Sequence, residues 1–82
     1  AVVPQADLLT EAKKWAAQIG ECSPMSIRAS KQAVLQGLEL TLPEAIGTQF
    51  KMPAVAALFK SEDFKEGPMA FAQKRAPEWK GR

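Results

Sequence analysis

The segment 61–82 has the sequence SEDFKEGPMAFAQKRAPEWKGR, and it carries more local structural signals than any other part of the chain. Ser61 is typical of a helix start, because its hydroxyl accepts from a free N–H and the acids after it favour the positive end of the helix dipole. Gly67 and Pro68 then predict an interruption, since proline cannot donate to the preceding turn but suits the first position of a new helix. We therefore expect two short helices here, spanning residues 62–66 and 68–75.

Basic side chains gather near the end of this segment, although the whole chain is nearly balanced, with 11 basic and 9 acidic residues and a formal net charge of +2. The clustered basic residues are Lys74, Arg75, Lys80 and Arg82. One interpretation is a solvated tail, and the other is a site for an anionic ligand. We expect the acids Glu62, Asp63 and Glu66 to serve dipole pairing and solvation rather than catalysis, because they lie in the first turns of a helix.

The order of residues in 61–82 resembles the C-terminal signature of the enoyl-CoA hydratase (crotonase) family. That signature has an acid pair, a Glu-Gly, an Ala-Phe, two variable positions, a Lys-Arg and an aromatic residue near the end. The matching residues here are Glu62-Asp63, Glu66-Gly67, Ala70-Phe71, Lys74-Arg75 and Trp79. A looser similarity extends upstream to Val2, so the chain resembles the C-terminal portion of such an enzyme.

The resemblance implies that 1–82 is a C-terminal helical segment for trimerisation and for covering the acyl pocket, and that the catalytic N-terminal spiral domain lies outside this chain. It implies a full-length lyase that hydrates 2-enoyl-CoA thioesters in fatty-acid or acyl-CoA metabolism, as a homotrimer or a dimer of trimers. By the family pattern, Phe71 and Lys74 contact the coenzyme A of a neighbouring subunit, and their spacing of three residues predicts that both lie on one face of the last helix. The acyl-CoA substrate carries the coenzyme A, and we expect no prosthetic group, metal ion or catalytic residue in this segment.

Upstream of residue 61 the sequence predicts three further helices, so the expected fold class is all-α, a small bundle of four helical regions of which the last is split at Gly67-Pro68. The predicted ranges are 4–20, 24–38 and 43–60. Ser23-Pro24 and the run from Thr41 to Glu44 both combine a capping hydroxyl with an early proline, and the second adds a glutamate three residues after the threonine. Pro53 removes a backbone hydrogen bond from the third helix, so we expect a kink or break near 51–53.

An apolar stripe runs along the first predicted helix at alternating steps of four and three residues. Its members are Leu8, Ala12, Trp15, Ile19 and Cys22. This periodicity predicts that Trp15 is a core residue and that Cys22 is a buried, inert thiol. The second helix carries an edge of small residues, which allows another helix to approach closely. These small residues are Ser26, Ala29, Ser30, Ala33 and Gly37.

Length and composition limit the possible classes of function. A chain of 82 residues forms one domain at most and buries only about 60–65% of its unfolded surface, so we expect apolar surface that is exposed or covered by a partner. The single cysteine excludes an internal disulfide and fits a reducing cytoplasm, and the lack of histidine argues against a metal site. No apolar run reaches the ~18 residues of a membrane span, so we expect no membrane partner.

The alternative to an enzyme segment is a free-standing helical interaction module that binds nucleic acid. A recognition helix presents several basic or amide side chains on one exposed face. The second predicted helix offers Arg28, Lys31, Gln32 and Gln36. The balanced net charge argues against this alternative, because a nucleic-acid-binding domain usually has a marked basic excess.

Overall fold

The computed structural model describes residues 1–82 and contains five α-helices and no β-strand. The helices are α1 (Leu8–Gly20), α2 (Pro24–Gly37), α3 (Leu42–Thr48), α4 (Pro53–Lys60) and α5 (Glu62–Ala72), with 3-10 turns at Gln5–Asp7 and Gln49–Lys51. Helical residues make up 72% of the chain, which confirms the predicted all-α class. None of these helices has the length and apolar character needed to cross a lipid bilayer.

Local signals set the helix boundaries in the middle of the chain. Pro24 is the first residue of α2, as expected for proline at a first helical position. Thr41 and Glu44 form a complete capping box at α3, in which each side chain accepts from the other residue's backbone N–H. The break predicted near 51–53 is confirmed, because the backbone is extended at Met52 and α4 begins at Pro53.

A small core lies between α2 and α4, which make the most extensive contact of any two helices. Its buried members are Ala29, Met52 and Val55, with Ala33 and Leu58 packed against them. The small-residue edge of α2 accounts for this packing, because the side chains at a contact set how closely two helices approach. The edge ends at Gly37, where an added Cβ would lie 3.7 Å from the Cβ of Ala45 in α3.

The prediction that Trp15 is a core residue is wrong for this chain. α1 contains no buried residue and makes only marginal contact with the other helices. Trp15 is 52% exposed, and its indole N–H donates to the carboxylate of Glu11 at 3.0 Å. Cys22 is also exposed, contrary to the prediction of a buried thiol. Periodicity identifies an apolar stripe correctly, but within this chain no other helix covers it.

The predicted split of the last helix at Gly67 and Pro68 is also wrong, because α5 is one continuous helix with the proline inside it. Proline within a regular helix costs about 3 kcal/mol, since one backbone hydrogen bond is lost and the ring clashes with the preceding turn. Tertiary contacts on both sides offset this cost. The ring of Trp79 packs over Gly67, 3.4 Å from where a Cβ would stand, and Ala70 is only 1% exposed.

The five helices form an open arrangement. The radius of gyration is 15.8 Å, with extents of 43 × 38 × 18 Å, whereas a compact chain of this length has a radius of gyration of about 12 Å. Large apolar side chains are exposed on several helices, including Leu38, Leu42 and Phe50. The expectation that this chain leaves apolar surface uncovered is confirmed.

Gln32 of α2 caps α4, because its side-chain oxygen accepts from the N–H of Ala54 at 2.7 Å. Replacing Gln32 with alanine leaves this first-turn N–H without its partner, so we expect the free energy of local opening of α4 to fall by about 1 kcal/mol, the usual cost of a lost helix cap. Amide hydrogen exchange in the first turn of α4 measures the loss. Gln36→Ala on the exposed side of the same helix is the matched control and should change the value by less than about 0.5 kcal/mol. Equal losses in both variants would show that the cap contributes nothing.

Candidate functional site

The C-terminal end of α5 closes in a Schellman turn, a common way of satisfying the last carbonyl groups of a helix. The N–H of Arg75 donates to the carbonyl of Ala70 at 3.1 Å, and the N–H of Lys74 donates to the carbonyl of Phe71 at 3.2 Å. Lys74 has a φ of +53°, in the left-handed region that glycine adopts without steric cost. The chain therefore reverses direction with a lysine at the point of reversal.

The two residues predicted to contact a ligand, Phe71 and Lys74, both lie exposed at this turn. Phe71 is 88% exposed. The side chain of Lys74 is exposed too and takes part in none of the ion pairs of the structure. The expectation that both residues share a helical face is wrong, because α5 ends at Ala72 rather than at residue 75. The left-handed turn, not the helix, orients Lys74.

The carboxylate of Glu66 ties this turn to the body of α5. Both of its oxygens accept from the guanidinium of Arg75, with the bond to Oε2 at 3.0 Å, and Oε1 also accepts from the N–H of Glu78 at 2.9 Å. Arg75 further donates to the side chain of Gln73 at 2.7 Å and to the carbonyl of Ala76 at 3.2 Å. A bidentate guanidinium–carboxylate pair fixes geometry as well as supplying charge attraction. Arg75 in the turn and Glu78 after it are thereby held to one carboxylate of α5.

The carboxylate of Asp63 holds the returning chain, by which we mean residues 75–82, against the start of α2. Asp63 is only 3% exposed. It accepts from the hydroxyl of Ser23 at 2.8 Å, from the N–H of Lys80 at 2.8 Å and from the N–H of Gly81 at 3.1 Å. We refer to Asp63 and Glu66, together with the groups that donate to them, as the carboxylate clasp.

Two further contacts fasten the returning chain. The indole N–H of Trp79 donates to the carbonyl of Glu21 at 2.8 Å. The N–H groups of Glu62 and Asp63 donate to the carbonyl of Arg82 at 2.7 and 3.3 Å. These two N–H groups belong to the first turn of α5 and have no partner within the helix, so the returning chain acts as its cap.

The clasp lowers the pKa of both carboxylates. The hydrogen bonds from Arg75, followed by that from the N–H of Glu78, lower the pKa of Glu66 from 4.5 to about 2. Burial opposes ionisation of Asp63, but its three donors outweigh burial and bring its pKa below the usual 3.8. Asp63 and Glu66 therefore do more than the predicted dipole pairing and solvation, because they hold the returning chain, whereas Glu62 is exposed as solvation requires.

The geometry of the turn suits binding rather than acid–base catalysis. A general base needs a carboxylate that is free to take a proton from a substrate, whereas Asp63 and Glu66 are both occupied by several donors. The side chains that could ligate a metal form no cluster with the arrangement of a metal site. A cavity of about 220 Å³ beside the clasp is lined by Glu62, Asp63, Lys65, Glu66, Met69, Glu78 and Lys80. Exposed Phe71 and Lys74 offer an aromatic ring for stacking and an ammonium group for an anion.

The family model for enoyl-CoA hydratase/isomerase matches residues 1–82. The chain belongs to the enoyl-CoA hydratase/isomerase family. It is 42% identical over 78 residues to the protein named "Probable enoyl-CoA hydratase, mitochondrial" of Dictyostelium discoideum, covering 95% of this chain and 27% of that protein. It is 38% identical over 85 residues to the carnitinyl-CoA dehydratase of Proteus mirabilis, covering 99% of this chain and 32% of that protein. A solved enoyl-CoA hydratase/isomerase from Mycobacterium paratuberculosis matches with a TM-score of 0.89 and 32% identity, over 98% of this chain and 31% of that one.

The family match confirms the resemblance carried by 61–82 at the level of the family. The chain spans about a third of the length of the relatives it matches, from 27% to 32%. The TM-score of 0.89 shows that the open arrangement of helices is the one this part of a hydratase/isomerase adopts. The all-α structure of the segment and its match to the family therefore agree.

Sequence reasoning missed the carboxylate clasp as a set of long-range contacts. Glu66 and Arg75 are nine residues apart, and Ser23 is 40 residues from Asp63, so neither pair has the spacing of neighbours on one helix. The available signal was that acids at the start of 61–82 precede a basic cluster at its end. That signal indicates a chain that folds back on itself only if a turn is known to lie between the two groups.

Acid should open the clasp, because its carboxylates have lowered pKa values in the folded chain. A group with a depressed folded pKa stabilises the fold above its unfolded pKa and loses this effect as the pH falls through the folded pKa. For Glu66 this window runs from 4.5 down to about 2. In a Trp15→Phe background, which leaves Trp79 as the only indole, we expect the emission of Trp79 to shift to longer wavelength within that window.

Glu66→Gln is the control for this titration, since it removes one ionising group of the clasp and keeps the shape of the side chain. The variant should show a smaller dependence on pH between pH 5 and 2 than the parent. An identical pH profile in both proteins, or a transition that is complete above pH 5, would contradict the assignment of the clasp to ionised Glu66.

Proposed function

We propose that residues 1–82 are the C-terminal helical segment of an enoyl-CoA hydratase-like enzyme, and that the segment contributes to coenzyme A binding and to oligomerisation. The reaction of the full-length enzyme in this proposal is hydration of a 2-enoyl-CoA thioester in fatty-acid or acyl-CoA metabolism. The observation that carries the proposal is the exposed pair Phe71 and Lys74 at a firmly held turn, in a chain of this family.

The chemistry of coenzyme A matches what the turn presents. Coenzyme A has an adenine ring, which can stack on an aromatic side chain, and phosphate groups, which bind an ammonium group. Phe71 supplies an almost fully exposed ring, and Lys74 supplies an ammonium group that makes no ion pair within the chain. In the proposal, Phe71 contacts the adenine and Lys74 pairs with a phosphate of a ligand bound to the neighbouring subunit.

Catalysis is proposed to belong to the part of the enzyme outside this chain. Hydration of an enoyl thioester needs a positioned acid or base and donors for the developing oxyanion. The chain covers 27–32% of its relatives, and the carboxylates of the clasp are occupied by donors. These residues therefore act on ligand affinity and on assembly, with no prosthetic group and no catalytic residue of their own.

Assembly into a homotrimer or a dimer of trimers would cover the apolar surface that the chain leaves exposed. α1 has no buried residue, and its exposed apolar side chains include Leu8, Trp15 and Ile19. An uncovered stripe of this kind is typical of a surface that packs against another chain or domain. The catalytic domain and the neighbouring subunits are the proposed occupants of these surfaces.

Lys74→Ala in the full-length enzyme should raise the KM for an enoyl-CoA from a few-fold to about tenfold and leave kcat nearly unchanged. The reason is that the phosphate end of the ligand is remote from the reacting double bond, so its contacts stabilise ground state and transition state alike. Steady-state kinetics at low ionic strength measures the effect, and added salt should reduce it.

Lys65→Ala is the matched control for this substitution, because it removes an exposed lysine from α5 without touching the turn. We expect its KM to stay within about twofold of the parent. If Lys74→Ala left KM unchanged at low salt while the oligomer stayed intact, the ligand-binding role of the turn would be wrong.

The isolated 82-residue chain should self-associate or remain partly ordered at micromolar concentration, because its helices are too few to cover one another. Sedimentation velocity and thermal melting test this, and Trp15→Ala should reduce any association by removing a large exposed ring. A compact monomer that melts cooperatively, or turnover of enoyl-CoA by the isolated chain, would contradict the proposal.

A nucleic-acid-binding role is not part of the proposal. Gln32, one of the side chains that a recognition face on α2 would need, is committed to the N–H of Ala54. A reducing compartment, the cytoplasm, is the proposed location, in keeping with a single unpaired cysteine. The relative from Dictyostelium discoideum carries "mitochondrial" in its name. Cell fractionation that compares the amount of the protein in the cytoplasmic and mitochondrial fractions therefore tests the proposed location.

A further inference from the structure

Lysine at the point of reversal adopts a backbone conformation that it does not favour. Helix ends of this type mostly carry glycine, because a Cβ makes the left-handed region unfavourable. Lys74 has a φ of +53° there. Its side chain enters no ion pair, so it does not hold the backbone in this conformation itself. The backbone hydrogen bonds of the turn and contacts made by the residues after it therefore maintain this conformation.

Glu66 supplies such contacts to the chain immediately after Lys74. The guanidinium of Arg75, the next residue, pairs with both oxygens of Glu66, and the N–H of Glu78 donates to one of them at 2.9 Å. Glu66 lies inside α5, a continuous helix whose neighbouring Gly67 is covered by the ring of Trp79. Glu66, fixed in α5, thus holds the returning chain at Arg75 and Glu78. Lys74 immediately precedes Arg75.

We propose that Glu66 is a positioning residue for coenzyme A binding, which acts by fixing the left-handed turn and with it the place of the Lys74 ammonium group. The inference rests on the proposed function, in which Lys74 pairs with a ligand phosphate. Glu66 itself does not touch the ligand. Its influence passes through Arg75 and the backbone of the turn.

The direction of the change in KM on Glu66→Gln distinguishes a positioning role from a purely electrostatic one. Removing a negative charge near an anionic ligand strengthens binding by Coulomb's law. An electrostatic role alone therefore predicts a lower KM in Glu66→Gln. Loss of a positioning residue predicts a higher KM, because the ammonium group of Lys74 is no longer held where the phosphate needs it.

The experiment is a double-mutant cycle in the full-length enzyme, with Glu66→Gln, Lys74→Ala and the double variant assayed for KM and kcat on an enoyl-CoA. We expect Glu66→Gln to raise KM by roughly threefold to tenfold with kcat nearly unchanged. In the Lys74→Ala background the same substitution should change KM by less than about twofold, because its effect passes through the missing lysine.

Two further variants serve as a second test of the Glu66–Arg75 contact and as a charge-matched control. Arg75→Lys keeps the positive charge but cannot form two parallel bonds with a carboxylate, so we expect it to raise KM as Glu66→Gln does. This variant tests the same contact if Glu66→Gln disturbs folding. Glu62→Gln removes an equal charge from the same helix, but its carboxylate pairs with Lys80 at 3.4 Å and Arg82 at 3.7 Å, away from the turn. We expect its KM to remain within about twofold of the parent.

The possible results distinguish the inference from the proposed function. If Lys74→Ala raises KM while Glu66→Gln leaves it unchanged or lowers it, the positioning role is wrong and the ligand role of Lys74 stands. Independent, multiplicative effects of the two substitutions also overturn the positioning role. If Lys74→Ala has no effect on KM, the proposed ligand site itself is wrong, and the inference falls with it.

Discussion

A carboxylate removed from water, that of Asp63, joins three parts of the chain that are far apart in sequence. It lies in the first turn of α5, it accepts from Ser23 at the start of α2, and it accepts from the backbone at Lys80 and Gly81. A buried carboxylate is costly unless donors replace the lost water, so this position favours a single arrangement of the chain around it. The path of the returning chain, and therefore the position of the turn before it, depends on this interaction.

Local chemistry was enough to predict most of the helices. Capping side chains and prolines at Pro24, Thr41 and Pro53 determine where α2, α3 and α4 begin, because each acts within a few residues of itself. The failures concern contacts that no local pattern contains. The stripe that includes Trp15 is apolar, but periodicity does not say what covers it, and the cost of Pro68 is offset by a ring that arrives from the returning chain.

The ligand role of Phe71 and Lys74 stays a prediction of the family pattern, and the structure shows that both residues are exposed. The geometry of the candidate site could not be predicted from the sequence. Helical spacing gave them a common face, which is wrong because the helix ends between them. The turn after the helix is tied to Glu66 through Arg75, and a contact across nine residues leaves no periodic signal in a sequence.

Glycine at position 74 would suit the turn better and the proposed function worse. A glycine reaches positive φ freely, whereas lysine is strained there but adds an exposed ammonium group at the reversal. Strain of this kind persists only where surrounding contacts over-determine the backbone, and Glu66 is the group that provides them. In the proposed role, the same carboxylate that ties the turn to α5 also sets where a ligand phosphate meets the ammonium group of Lys74. Stability of the turn and affinity for an anionic ligand would then be coupled through one side chain that touches no ligand.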